Sequence, residues 1–313
     1  MASLSNRPLL STSDDRDLVV ERTAECALVE DAVQRRLNVL LSGAAGSGLT
    51  TTVHQLLRRL PRGRRLHPRF VNAATIDSVE ELLRESLGEL VPAMAIVDGE
   101  STYARFARFA GVPSDIVVLV DNAAPTLLAE AFGVHRDEMW QVPATWVATC
   151  SELDRARVLN SRASAFFDVV VELEALTDVQ AAGLLRRRTT KDELSAAGLR
   201  AAVDSAGGNP RALVQAARRL VLEGVAPADL ARSAYLRQEV RRPLSRPARM
   251  LLDELITRGP ASASDPDLQA ATGWTRSRLV QVLAELEAAG AVDSEERSDG
   301  RSGRPRKVFR SRY

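Results

Sequence analysis

Asn38-Val-Leu-Leu-Ser42 runs directly into Gly43-Ala44-Ala45-Gly46-Ser47-Gly48-Leu49-Thr50, and the residues from Thr51 onward carry Val53, Leu56, Leu57 and Leu60 on one helical face. A hydrophobic strand, a glycine-rich turn and an apolar-periodic helix in that order form the strand–GxxxxGK[ST]–helix pattern with one substitution, Leu49 at the lysine position. Backbone N–H groups of such a loop wrap phosphates, and the helix N-terminus that follows favours an anion. The residues assigned to this cradle are Gly43 to Thr51, with Thr50 in the magnesium-ligand position. The ammonium that reaches the terminal phosphates and stabilises charge during transfer is missing. Nucleotide binding and nucleotide hydrolysis are therefore separate questions, and a loop kept only as scaffold is the alternative to both.

The chain has 313 residues, room for two or three domains. With 45% apolar and 27% charged residues it has the composition of an ordinary globular protein. The net charge of +1 means that any affinity for nucleic acid must come from a local patch. The basic residues are almost all arginine. Lys191 and Lys307 are the lysines, and neither lies near the loop in sequence. Cys26 and Cys150 are too few for a disulfide framework, which fits a reducing compartment. No apolar run reaches membrane-spanning length and no signal-peptide core is present, so a cytoplasmic protein with no membrane partner is expected.

Residues from Met1 to about Asp17 read as polar and loosely held. Further strands are expected at Arg69–Ala73, Asp115–Val120, Ala144–Thr149 and Phe167–Leu173. A periodic helix between the first two of these carries Val79, Leu82, Leu83, Leu87 and Leu90. Strands alternating with helices predict a parallel sheet covered on both faces. From Thr177 to about Arg242 the pattern is all helical, punctuated by Gly207-Gly208-Asn209-Pro210, which puts a proline just inside a helix start. The remainder, Pro243 to Tyr313, predicts three helices and a basic hairpin turning at Asp299, Gly300 and Gly303.

Asp121 follows Val117-Val-Leu-Val120, as a magnesium-associated carboxylate at the C-terminal edge of a strand requires. The next residue is Asn122, where hydrolysing relatives of this layout place a glutamate. An amide orients water but does not take its proton. Thr149 ends the fourth strand and is a candidate for contact with a terminal phosphate. Arg211 opens a helix and is a candidate for bidentate phosphate contact. Arg162, with Arg155 and Arg157 as competitors, is a candidate for contact with a neighbouring subunit's nucleotide. His54, His67 and His135 are scattered and show no metal-ligand spacing.

The order of these elements resembles the AAA+ superfamily, specifically its origin-recognition/initiator-like branch and the related signalling STAND-type ATPases. The matching residues are Gly43 to Thr50, Ile116 to Asn122, Thr149 and the Gly-Asn-Pro-Arg sequence ending at Arg211. The resemblance implies an α/β fold with a five-stranded parallel P-loop sheet, a helical lid and a C-terminal winged helix. It also implies ATP or ADP with magnesium held between sheet and lid. Arg211 matches the lid arginine, Thr149 the phosphate-sensing residue, and Thr50 with Asp121 the magnesium site. Leu49 and Asn122 depart from the pattern and put hydrolysis in doubt. The implied domains are residues 1–175, 176–242 and 243–313.

In the last segment a helix-turn-helix reading presents Thr275, Arg276, Arg278 and Gln281 away from the apolar face of the third helix, where they would meet bases and phosphates. Arg301, Arg304, Arg306, Lys307 and Arg310 follow in a wing suited to phosphate contacts. Ten acidic residues of the same segment, among them Glu285, Glu287 and Asp293, nearly offset the basic ones. The leading expectation is a nucleotide-binding, hydrolysis-deficient protein that binds duplex DNA, alone or in a homo- or hetero-oligomer with an active AAA+ partner. A slow but active NTPase and a scaffold with a protein-docking winged helix are the alternatives.

Overall fold

A computed structural model describes residues 4–60, 66–90, 102–297 and 306–312. The chain divides into two compact units, Arg7–Glu174 and Met1–Asn6 with Ala175–Tyr313. The first is an α/β unit with five strands: β1 (Val39–Gly43), β2 (His67–Asn72), β3 (Ile116–Asp121), β4 (Thr145–Ser151) and β5 (Val169–Leu173). All pair in parallel, in the order β2-β3-β4-β1-β5.

Every residue of β1 and β3 is buried, because the sheet is covered on both faces. Alternation divides each strand between two cores. Leu40, Val118, Val120, Trp146 and Ala148 join Leu82, Leu83 and Phe132 on one face. Val39, Leu41, Val117, Leu119 and Val147 join Val53 and Leu56 on the other. Asn38 fastens the lower ends of three strands. Its N–H donates to Asp168 (2.8 Å), its Nδ2 donates to the Phe166 carbonyl (3.3 Å), and its Oδ1 accepts from the Trp146 N–H (3.0 Å).

Two strands start two residues from where they are expected, and the other three are shifted by one. β2 begins at His67 and includes Pro68, which an edge strand accommodates because the missing N–H interrupts no ladder. β5 begins at Val169, since Phe166 and Phe167 turn into the apolar core instead of continuing the strand. The expectation of a loose N-terminal segment is overturned for its described part. Leu9 is buried, Arg7 forms a bidentate pair with Asp15 (2.6 and 2.7 Å), and Asp15 also accepts from the Leu10 N–H. Part of the polar look of this stretch comes from Arg7 and Asp15, whose charges neutralise each other.

The second unit holds helices Asp178–Arg186, Ala196–Ala206, Pro210–Val221 and Pro227–Arg241. Thr177 and Gln180 close a capping box at the first, and Asn209 caps the third. Gly208 has φ +73°, and a Cβ there would lie 2.4 Å from the Leu176 carbonyl oxygen, so only glycine fits. The same unit continues with helix Arg246–Arg258, β6 (Ala261–Ser262), helices Pro266–Thr272 and Arg276–Ala288, β7 (Val292–Arg297) and β8 (Arg306–Ser311). The three strands are antiparallel in the order β6-β8-β7, the element order of a winged helix. Leu251, Leu255, Leu268, Leu279, Leu283 and Phe309 fill its core. No helix among the described residues is long and apolar enough to cross a membrane.

Candidate functional site

β1 delivers the chain to the C-terminal edge of the sheet, beside β4, and the glycine-rich turn forms there. Gly46 (φ +80°) and Gly48 (φ +98°) take left-handed backbone that a side chain would strain, and the Ser47 N–H closes the turn on the Ala44 carbonyl (2.9 Å). Ala44 is exposed and Ala45 half-buried. A Cβ on Gly43 would meet Ser47 Oγ at 2.5 Å. The helix Leu49–Arg59 starts at the loop, leaving its first N–H groups directed at the cradle. Thr50 is half-buried. Thr51 is turned to other use, its Oγ1 accepting the Leu9 N–H at 3.1 Å.

Leu49 packs against the apolar cluster of Leu41, Val53 and Leu56. No cation takes the place of the absent ammonium by titration of His54. Burial holds the His54 imidazole below its ordinary value, overcoming the Asp121 carboxylate that would raise it, and the ring lies against Phe70 at 4.6 Å. His54 is therefore neutral near pH 7. Burial also pushes both thiols, Cys26 and Cys150, up to about 12, so neither supplies a nucleophilic thiolate.

Asp121 is 1% exposed. Its Oδ1 accepts from Thr149 Oγ1 at 2.7 Å, while Oδ2 is buried without a hydrogen-bond partner. The hydroxyl proton of Thr149 is thus directed at the carboxylate, leaving its lone pairs for any further contact. Asn122 has φ +59°, a conformation that asparagine adopts more readily than glutamate does. Its Nδ2 donates to Asn72 Oδ1 at 3.2 Å, at the end of the neighbouring strand.

These residues fit a magnesium nucleotide in two respects. Glycine backbone offers N–H groups, and a buried carboxylate oxygen lacks a partner. Among the described residues no group of three or more His, Cys, Asp and Glu could hold a metal. A cation at Thr50 and Asp121 would take its remaining ligands from phosphate and water, as magnesium commonly does. Bound there, it would neutralise phosphate charge.

Sequence reasoning missed Arg22. It is 4% exposed, and its guanidinium donates to the Ser47 carbonyl (3.0 Å), the Glu174 carbonyl (2.5 Å) and Glu25 (3.1 Å). The signal available was slight: an arginine after the apolar Leu18-Val-Val, just before a helix. Of the other arginines considered, Arg155 pairs with Glu172, and Arg157 and Arg162 are exposed. Arg211 lies in the second unit, in the first turn of the helix that Asn209 caps, its own N–H donating to Asn209 Oδ1 (3.1 Å).

On helix Arg276–Ala288, Thr275 is the cap and accepts the Arg278 N–H, while Arg276, Arg278 and Gln281 are exposed. The Arg278 guanidinium lies 6.0 Å from the Trp274 ring centroid and 3.4 Å from Gln281 Oε1, so it is partly ordered in advance. In the hairpin, Arg310 stands opposite Asp293 and Arg306 opposite Arg297. Lys307 binds Glu287 (2.8 Å) and holds that carboxyl below its usual value, with Ser294 assisting. Arg297 pairs with Glu295 and Arg312 with Asp293, both at 2.6 Å. Arg297 and Arg306 thus face each other across the strand pair, while Glu295, Glu287 and Asp293 engage Arg297, Lys307 and Arg312. Arg301, Arg304 and the turn residues Asp299, Gly300 and Gly303 lie outside the described residues.

No protein-family model matches the chain, and no curated protein does. Solved structures do. The ORC1 protein of Aeropyrum pernix, solved in complex with DNA, is 21% identical over 96% of this chain and 92% of its own, with a TM-score of 0.51. Cdc6p of Pyrobaculum aerophilum is 14% identical over 93% and 89%, also with a TM-score of 0.51. The Aeropyrum pernix ORC2 protein, solved as ADPNP–ADP complexes, is 14% identical over 92% and 88%, with a TM-score of 0.47. At these identities the likeness is one of fold: the chain shares the fold of the ORC1 and Cdc6p structures over nearly its whole length.

Proposed function

We propose that this protein binds ATP or ADP with magnesium without hydrolysing it efficiently, and engages duplex DNA through its C-terminal winged helix. The observation that carries the first half is the state of the loop. Gly46 and Gly48 preserve the anion cradle and Asp121 Oδ2 is unpartnered, while Leu49 is committed to the apolar core and Asn122 to a left-handed turn. The cradle, Thr50 and Asp121 hold the ligand, and no carboxylate at residue 122 takes a proton from water. Nucleotide then acts as a conformational ligand rather than a fuel.

The DNA half rests on Arg276, Arg278 and Gln281, exposed together on one helix, and on the arginines Arg297 and Arg306 that face each other across the hairpin strands. The DNA bound to the ORC1 neighbour supports the same reading. Base-edge contact by the helix specifies and phosphate contact by the hairpin positions. In an assembly with a second copy or an active AAA+ partner, exposed Arg157 or Arg162 is the cation to offer, since Arg155 is committed to Glu172. A second reading, a protein-docking winged helix, is favoured by the acidic partners of Lys307, Arg297 and Arg312.

Calorimetric titration with MgADP and MgATP, together with a phosphate-release assay, tests the first half. Binding without turnover is expected, and sustained turnover abolished by Asp121→Asn would overturn it. Titration of mixed duplex fragments at two salt concentrations tests the second. Affinity should fall by about 0.9 log unit per phosphate contact for each decade of salt. Absence of salt-sensitive binding, with and without nucleotide, would give the docking reading the lead.

A further inference from the structure

Among the described residues Arg22, 4% exposed, is the most deeply buried arginine, and nothing in the proposed binding chemistry uses it. Its backbone is fixed first. It precedes the helix Thr23–Gln34, its N–H donates to Gln55 Oε1 (3.1 Å), and its carbonyl accepts from the Cys26 N–H (2.8 Å). Gln55 sits 2% exposed on the phosphate-loop helix and donates back to the Val20 carbonyl (3.4 Å). The guanidinium then reaches three acceptors, of which the Ser47 carbonyl belongs to the loop and the Glu174 carbonyl ends the α/β unit.

The charge of Arg22 does not replace the missing ammonium, because Glu25 neutralises it at 3.1 Å. Its effect is directional. The Ser47–Gly48 peptide is trans, so its carbonyl and its N–H lie in one plane and point in opposite directions. Drawing the Ser47 oxygen toward Arg22 turns the Gly48 N–H the other way. Gly48 immediately precedes the helix and has φ +98°, a conformation open to rotation unless something fixes the peptide.

We infer that Arg22 is a positioning residue that locks the Ser47–Gly48 peptide and so aims the Gly48 N–H at the diphosphate of a bound nucleotide. The inference rests on the nucleotide reading for its ligand and on the hydrogen bonds of Arg22 for its geometry. A planar guanidinium meets acceptors in a fixed fork, and a lysine ammonium does not reproduce that fork.

The experiment uses the full chain and three forms: wild type, Arg22→Lys and Arg22→Gln. Amide hydrogen exchange without ligand is read on the peptide spanning the loop and, as control, on the peptide spanning β3. Loss of a hydrogen bond to a charged donor should speed loop exchange by about tenfold or more, most in Arg22→Gln, with β3 unchanged. Titration with MgADP and with adenosine is then compared. The variants should lose about tenfold in MgADP affinity and keep their adenosine affinity, since only the diphosphate meets the aimed N–H. A purely structural role would slow or speed both peptides together and shift both ligands alike, and that result would overturn the inference. Unchanged loop exchange would overturn it as well. A wild-type protein that binds neither ligand refutes the nucleotide reading, and the exchange comparison then still decides whether Arg22 locks the loop.

Discussion

Leu49→Lys restores the one cation that the loop pattern lacks, and the structure sets both sides of its energetic balance. Leu49 is half-buried against Leu41, Val53 and Leu56, so replacing it loses part of one leucine's burial, about 1 kcal/mol of folding stability. In a unit the size of Arg7–Glu174 that lowers Tm by roughly 2–4 °C per kcal/mol. The gain is confined to the bound state. A hydrogen bond from a charged donor contributes about 1.5–3 kcal/mol, equivalent to about 10- to 150-fold in affinity. The variant should therefore melt slightly lower without ligand and bind MgADP much more tightly, with a larger ligand-induced rise in Tm. Turnover should stay absent, because Asn122 is unchanged. Calorimetry gives the affinity and thermal melts with and without nucleotide give the stability. A folded Leu49→Lys protein with wild-type affinity would refute the reasoning, and no response to millimolar nucleotide in either form would establish the loop as scaffold.

Three further outcomes follow from the geometry. Asn122→Glu should not restore hydrolysis and should lower stability by about 1–2 kcal/mol, because a glutamate is forced into left-handed backbone and the bond to Asn72 is lost; urea unfolding as stable as wild type would contradict this. Gly208→Ala should cost about 2–4 kcal/mol, the sum of a left-handed penalty and a clash with the Leu176 carbonyl, and would be wrong if its Tm were unchanged. The Arg7 hydrogen bond lowers Asp15 to about 2, so its stabilisation is complete above the unfolded carboxylate pKa and is lost as pH falls from about 4 toward 2. Asp15→Asn should therefore cost at most about 2 kcal/mol at pH 7 and almost nothing at pH 2, and equal losses at both pH values in urea melts would sink the assignment.

Much of the α/β unit was legible because its signals are local. Val117 to Val120 are apolar at every position, which only a strand buried on both faces needs, and the glycines of the loop occupy the turns that require them. The features that sequence did not disclose join residues far apart in the chain. Arg22 finds its acceptors 25 and 152 residues away, and Thr149 finds Asp121 28 residues away. Neither pairing leaves a periodic trace. The wing was legible as basic, but not as paired, since Lys307 meets Glu287 from a different element. The segment before Asp17 misled for the same reason, its charges reading as solvent-seeking until Arg7 is placed against Asp15.

Leu49 and Asn122 are both satisfied where they stand, one by apolar contact and the other by backbone conformation and an amide bond. Asp121 Oδ2 is buried without a hydrogen-bond partner, as are Ser42 Oγ and Ser47 Oγ at the loop. Keeping a buried carboxylate oxygen unpaired costs free energy, as does holding glycines in the loop at the expense of chain entropy. A turn that served only to join β1 to its helix would be more stable with a residue other than aspartate at 121 and with fewer glycines between residues 43 and 48. At the site itself, the unfavourable features lie on the anion and cation side, while residues 49 and 122, where turnover would need a lysine and a glutamate, are satisfied. That asymmetry favours a site adapted to hold a magnesium nucleotide over an inert scaffold. It also explains why restoring residue 49 should strengthen binding while restoring residue 122 alone should not restart hydrolysis.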